Sequence, residues 1–161
     1  MTFISKFKRR YFTPLLWIAA FQTISYGIGQ ITRANMGWYD TLAKSVLTPP
    51  DIVFPIVWSV LYVLLALAGH RVWQHFKSHG LTAVFIIFWL QMMMNWGWSF
   101  VFFAGHEIAY GFYWIVALDI VLAGFILLAW SACRRAAIYA VPTFVWGCFA
   151  AYLNYVIMIL N

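Results

Sequence analysis

Acidic side chains are scarce in this chain. Asp40, Asp51, Glu107 and Asp119 are the only ones, against ten Lys and Arg in 161 residues. Charged residues of both signs make up 9%, where a soluble domain carries about 25%, and so little charge cannot cover a water-facing surface. Cysteine is scarce too. Cys133 and Cys148 lie in apolar surroundings without metal or redox spacing, so they read as packing residues. There is no Ser/His/Asp constellation, no phosphate-cradling glycine loop and no pair of carboxylates on one segment, which leaves no conventional catalytic motif. The net charge of +6 is not a nucleic-acid signature. Lys and Arg sit mostly in short segments between apolar runs, where they set membrane orientation.

What the chain does have is apolar and aromatic bulk, 65% hydrophobic and 21% aromatic. The apolar runs are too long for barrel strands, which alternate every two residues. The reading is an all-α membrane protein, one domain over 1–161, folded as a bundle of five transmembrane helices. The expected spans are about Tyr11–Ile31, Pro50–Trp73, Leu81–Phe103, Tyr110–Ser131 and Ala136–Leu160. The basic arm before the first span also fits a secretory signal, but the run is long, lacks a small-x-small cleavage site and precedes four more spans. Ala19, Thr23 and Gly27 form a small-xxx-small stripe that lets another helix approach closely. Arg33 to Ser45 is the longest loop, and Trp38-Tyr39-Asp40 make it apolar enough to fold over the helix ends as a lid.

The stretch from Leu47 to Trp73 organises the rest. Thr48 reads as an N-cap, Pro49 and Pro50 as first-turn residues and Asp51 as the capping-box carboxylate. Pro55 is expected to kink the first turn. Ile52 to Trp73 covers about 33 Å of helix, roughly one bilayer core. Phe54, Trp58, Leu61 and Tyr62 share one face of it. Gln91, Asn95 and Trp98 share a face of the third span, and Trp146, Ala150, Leu153 and Asn154 a face of the fifth, which Pro142 is expected to bend. If these stripes converge, they enclose a pocket of indoles and amides suited to a flat, conjugated, mostly apolar ligand, with Ala150 supplying room. Amides in hydrocarbon also serve as interhelical glue, so the third-span face by itself leaves both roles open. Asp119, near the middle of the fourth span, must face the interior as a relay, a pocket group or a packing carboxyl. His75 and His79 are spaced for a metal on a helix. They are read as solvated interface residues in a polar turn from Arg71 to Gly80, so no metal site is assigned.

Together these residues resemble the TspO/MBR family, the tryptophan-rich sensory proteins related to the mitochondrial translocator protein (peripheral benzodiazepine receptor). The matching residues are Trp38-Tyr39-Asp40, Thr48-Pro49-Pro50, Phe54-Pro55, Trp58, Leu61, Tyr62, Gln91, Asn95, Trp96, Trp98, Phe102-Phe103, Asp119, Pro142, Trp146, Phe149, Ala150, Leu153-Asn154-Tyr155 and Asn161. The resemblance implies a five-helix bundle, often a homodimer, that binds protoporphyrin IX, haem-like tetrapyrroles and synthetic carboxamide ligands, with no cofactor required. It implies ligand contacts at Tyr39, Trp58, Tyr62, Asn95, Trp98, Trp146 and Ala150. It also implies a photo-oxidative porphyrin-degrading role for Trp58 and Trp146, which fits indoles as electron donors. Leu47 replaces the family's tryptophan before Thr-Pro-Pro. The sterol pattern of animal members lacks its basic residue after Leu153 and Tyr155, which puts cholesterol binding in doubt.

The leading reading is therefore a tetrapyrrole-binding membrane protein that senses or regulates tetrapyrrole levels. The alternatives are a transporter of a small amphipath with Asp119 as titrating group, and an assembly subunit that docks through the Ala19/Thr23/Gly27 stripe. Lys6, Lys8, Arg9, Arg10, Arg71, Lys77, Arg134 and Arg135 fall on one side of the membrane, and only Arg33 and Lys44 on the other. The bias predicts the N-terminus inside and the C-terminus outside. An impermeant reagent applied to intact cells should reach a C-terminal tag and miss an N-terminal one; the reverse pattern overturns the orientation.

Overall fold

The apolar runs fold as helices joined by short turns, apart from the longer α1–α3 connection, which holds a short helix of its own. The computed structural model describes residues 3–80 and 82–161, with side chains from Phe12 onward apart from Leu81. The expected basic side chains of Lys6, Lys8, Arg9 and Arg10 lie outside the described residues. The elements are α1 (Phe3–Ala34), α2 (Met36–Thr41), α3 (Val53–His79), α4 (Ala83–Ser99) continuing as a π-helical turn (Phe100–Ala104), α5 (Ile108–Ala132) and α6 (Arg134–Leu160). No strand occurs among the described residues. The long helices close a ring: α1 packs on α3, α3 on α6, α6 on α5, α5 on α4, and α4 returns to α1 and α3. Among the described residues four helices are long and apolar enough to cross a membrane: α3, α4 with its π turn, α5 and α6. α1 has 32 residues, but Gln22, Thr23, Ser25, Tyr26 and Gln30 dilute its apolar run.

Local chemistry sets the boundaries. Thr48 does not cap α3, and Pro49 and Pro50 are not in its first turn. Helix begins at Val53, after Ile52, because a proline pushes the residue before it out of the helical region, and two in a row keep Thr48 and Pro49 extended. Pro55 then falls within the first turn, where its missing N–H removes no helical bond. The polar turn expected from Arg71 to Gly80 is also helical through His79. Lys, Gln and His mark where α3 leaves the apolar layer, and the helix itself ends at Gly80. There φ is +72° and the N–H reaches the Phe76 carbonyl at 2.8 Å, a left-handed stop that glycine adopts freely. Thr82 starts α4, its hydroxyl accepting from the Phe85 N–H. A single residue, Cys133, joins α5 to α6. Its N–H bonds Ala129 and its carbonyl takes the Ala136 N–H, both at 2.8 Å.

The core is built from Leu65, Phe88, Met92, Leu122 and Phe125, all fully buried, with Ala66, Ala68, Ala136, Ala137 and Ala140 filling the closest approaches. α5 packs closely on α6 at Gly147, where an added Cβ would overlap the Asp119 carboxyl and lie 3.0 Å from its carbon. Indoles form a string along α1, α3 and α4. Trp17 lies 6.5 Å from Trp73 and 6.1 Å from Trp89, which lies 6.5 Å from Trp96. The Ala19, Thr23 and Gly27 stripe stays on the outer surface, and nothing approaches within 4 Å of where a Gly27 side chain would begin.

Candidate ligand-binding site

The aromatic face of α3 meets two other helices. Near its start, Phe54 packs edge-on against Trp146 of α6, with ring centroids 6.0 Å apart. Two turns on, the buried Tyr62 hydroxyl donates to the Asn95 Oδ1 of α4 at 2.6 Å. Trp58 lies between these contacts, half-buried, 5.7 Å from Tyr62. Trp146 also lies 5.5 Å from Phe149, and its buried Nε1 has no hydrogen-bond partner among the described residues. One turn further, Ala150 is buried and adds no bulk. Its carbonyl accepts the Asn154 Nδ2 at 2.9 Å.

A second aromatic group lies under the loop between α1 and α3. This loop contains the short helix α2, which places Tyr39 inward. Tyr39 packs 5.5 Å from Phe103 and 6.3 Å from Phe102, with the Lys44 ammonium 4.2 Å above its ring. Burial, helped by the carboxylates of Asp51 and Asp40, pushes the Tyr39 hydroxyl up to about 12, so it remains a neutral donor at physiological pH. Trp98 stacks on Phe102 at 5.1 Å, the planes 10° apart, and donates from Nε1 to the Gly111 carbonyl at 3.1 Å.

The lid is tied down at several points. The Ala43 N–H donates to Asn161 Oδ1 at 3.0 Å, and Asn161 Nδ2 returns a bond to the Ala43 carbonyl at 3.1 Å. Ser45 and Tyr152 pair through their hydroxyls at 3.3 Å. On the other flank Trp38 stacks on His106 at 4.2 Å, and the His106 Nε2 lies 3.3 Å from Asn35 Oδ1. His106 holds φ at +55°, a region non-glycine residues seldom enter without supporting contacts.

The structure thus joins Trp58, Tyr62 and Asn95 in one group and Tyr39 and Trp98 in another, bridged by Phe102 and Phe103. Trp146 and Ala150 enter from α6, Trp146 through Phe54. Among the described residues no ring contact joins Trp58 to Trp146. The sequence reading left His106 and Tyr152 unassigned. Nothing in the sequence distinguishes a left-handed histidine, and Tyr152 acts through a loop more than a hundred residues away.

Several buried polar atoms have no partner among the described residues: both amide atoms of Gln91, Asp119 Oδ1, the Thr143 hydroxyl and Asn154 Oδ1. Two bonds set the register of α4 on α5, Trp114 Nε1 to the Met94 carbonyl at 2.8 Å and Trp98 to Gly111. This antiparallel register brings Gln91 level with Asp119. His75 and His79 stack at 4.2 Å, and no group of three metal-type side chains occurs among the described residues.

The TspO/MBR family model matches residues 12–160. The chain belongs to the TspO/MBR family. It is 32% identical over 125 residues to "Protein CrtK" of Rhodobacter capsulatus, covering 77% of this chain and 78% of that protein. It is 31% identical over 151 residues to "Tryptophan-rich protein TspO" of Chlorobaculum tepidum, covering 92% and 96%. It is 27% identical over 136 residues to "Translocator protein" of Ovis aries, covering 80% and 78%. As a TspO/MBR member with apolar helices of spanning length, the chain is a membrane protein.

In this TspO/MBR bundle the Tyr62–Asn95 bond is the one side-chain hydrogen bond among the described residues that ties the α3 stripe to α4. Tyr62→Phe leaves Asn95 Oδ1 buried and unpaired. Thermal unfolding in detergent should register a loss of about 0.6 to 2 kcal/mol, the range for interhelical bonds in membrane proteins. Adding Asn95→Leu should cost less than the two single losses summed; strictly additive losses would show that the pair is not coupled.

Proposed function

We propose that this protein binds a porphyrin or related tetrapyrrole against the aromatic faces of α3, α4 and α6, beneath the α2 lid, and thereby senses or regulates tetrapyrrole levels. The observation that carries this reading is the α3 stripe, whose Phe54 meets Trp146 and whose Tyr62 meets Asn95. One largely aromatic helix face therefore meets two partner helices, which suits a broad planar ligand. Contacts are assigned to Tyr39, Trp58, Tyr62, Asn95, Trp98, Trp146 and Ala150. Ring stacking supplies most of the affinity and the buried hydroxyl and amide set orientation. Under light, Trp58 and Trp146 are assigned as electron donors to the excited macrocycle, giving degradation without a conventional catalytic motif.

The same reading takes α1 as the fifth span, with the N-terminus inside. It also takes a homodimer as the working unit, supported by the outward, unobstructed Ala19, Thr23 and Gly27 stripe. Protoporphyrin IX added to the purified protein should quench tryptophan fluorescence saturably. Trp58→Phe and Trp146→Phe should keep the fold and lose the light-dependent product. Unchanged product in both variants removes the tryptophans from the chemistry, and no saturable quenching removes the binding reading.

A second reading has its own observation. Asp119 is 8% exposed, packed on Gly147, with Oδ1 unpaired among the described residues. A carboxyl so placed suits proton-coupled movement of a small amphipath, and two relatives are named translocator protein. Asp119→Asn should then abolish pH-dependent flux of that amphipath in liposomes. Flux unchanged by the substitution, or absent from the unaltered protein, rules the transporter out.

A further inference from the structure

A shallow, open depression lies at the end of the bundle opposite Tyr39. Arg71, His75 and Ser78, on the last turns of α3, face Arg134 and Arg135 at the α5–α6 turn across a cavity of about 350 Å³. The arginines there have no carboxylate to answer. Asp40, Asp51 and Glu107 belong to the lid and the α4–α5 turn at the far end, and Asp119 lies mid-way along α5. Lys44–Asp40 is the sole ion pair among the described residues. Two of the arginines are held in place by neutral groups instead. Arg71 donates from Nη1 to Gln74 Oε1 at 3.2 Å, and the Arg134 guanidinium lies 4.9 Å from the centre of the Trp130 ring. Those contacts restrain the stems and leave other N–H donors of each fork for an anion.

The depth of the cleft narrows the choice of anion. α3 and α6 have 27 residues each, about 40 Å of helix. This exceeds the roughly 30 Å hydrocarbon core, so their ends reach the headgroup layer. Trp73 and Trp130 flank the cleft in sequence, as aromatic residues do at that level. We propose that this cleft is a binding site for a phosphate-bearing anion, held by the guanidinium forks of Arg71, Arg134 and Arg135 with the His75 ring and Ser78 hydroxyl beside them. A fork matches two phosphate oxygens at once, which a lone ammonium cannot do. The headgroup depth favours the phosphodiester of an anionic lipid over a free phosphate, as basic pockets between membrane helices do. The site is independent of the tetrapyrrole reading and shares no residue with it.

The test uses the full-length protein in neutral detergent, titrated by calorimetry with short-chain phosphatidylglycerol, short-chain phosphatidylcholine and inorganic phosphate in separate arms. Phosphatidylglycerol should bind saturably and phosphatidylcholine should not. The double variant R134Q/R135Q should weaken binding about tenfold or more, the scale of losing a charge-assisted bond. K77Q should leave binding unchanged, since Lys77 carries the same charge at the same end but lies over the Trp73 ring and does not line the cleft. Inorganic phosphate that binds and is lost with R134Q/R135Q would support the anion site and assign its source to soluble phosphates. Equal weakening by K77Q would show diffuse attraction and overturn the proposal, as would absence of binding in every arm. R71Q, on a different helix, serves the same purpose if R134Q/R135Q does not fold.

Discussion

Helices surrounded by hydrocarbon gain nothing by hiding leucine from their neighbours, since lipid tails are equally apolar. What holds them together is closeness of fit and the few polar contacts made between them. The α5–α6 pair illustrates this. The missing side chain at Gly147 leaves the room that the Asp119 carboxyl occupies, and one residue, Cys133, turns the chain between the two helices. The fully buried Ala136, Ala137 and Ala140 extend the same close approach toward that turn. From this tightly seated pair the ring closes outward, through α4 on one side and α3 on the other.

Polar groups are then distributed by what each environment allows. Inside the bundle they are paired across helices where geometry permits, as between Tyr62 and Asn95, or left with unspent capacity at the level of Gln91 and Asp119. At the ends, charge segregates. Carboxylates collect around the lid, where Asp40 meets Lys44, while the opposite end carries arginines and no acid. The two ends are thus chemically distinct, one covered by an aromatic lid and one open and cationic.

Much of this could be read before any coordinates. Long uncharged runs required membrane helices, and the stripes on α3, α4 and α6 pointed to their inner faces, because a 3.6-residue period is visible in sequence. What could not be read depended on competition between local rules. The Thr48–Asp51 stretch satisfied the motif for a helix start, but Pro49 and Pro50 together forbid helix in the residues before them. His75 and Lys77 looked like a turn because polarity marks the edge of the apolar layer, which is not the edge of a helix. The π turn at Phe100–Ala104 and the helix inside the lid have no periodic signature at that length. In the candidate site, residue types and faces were legible, whereas the Asn161–Ala43 clasp and the Trp38–His106 stack were not. They join segments whose adjacency follows only from the closed ring.

The string of indoles has an optical consequence. Trp73, Trp17, Trp89 and Trp96 follow one another at ring separations of 6.1 to 6.5 Å, close enough for an excited state on one to migrate to the next before it emits. A photon absorbed at the cationic end can therefore be carried toward the lidded half, and one acceptor lodged anywhere along the relay would darken more rings than it touches.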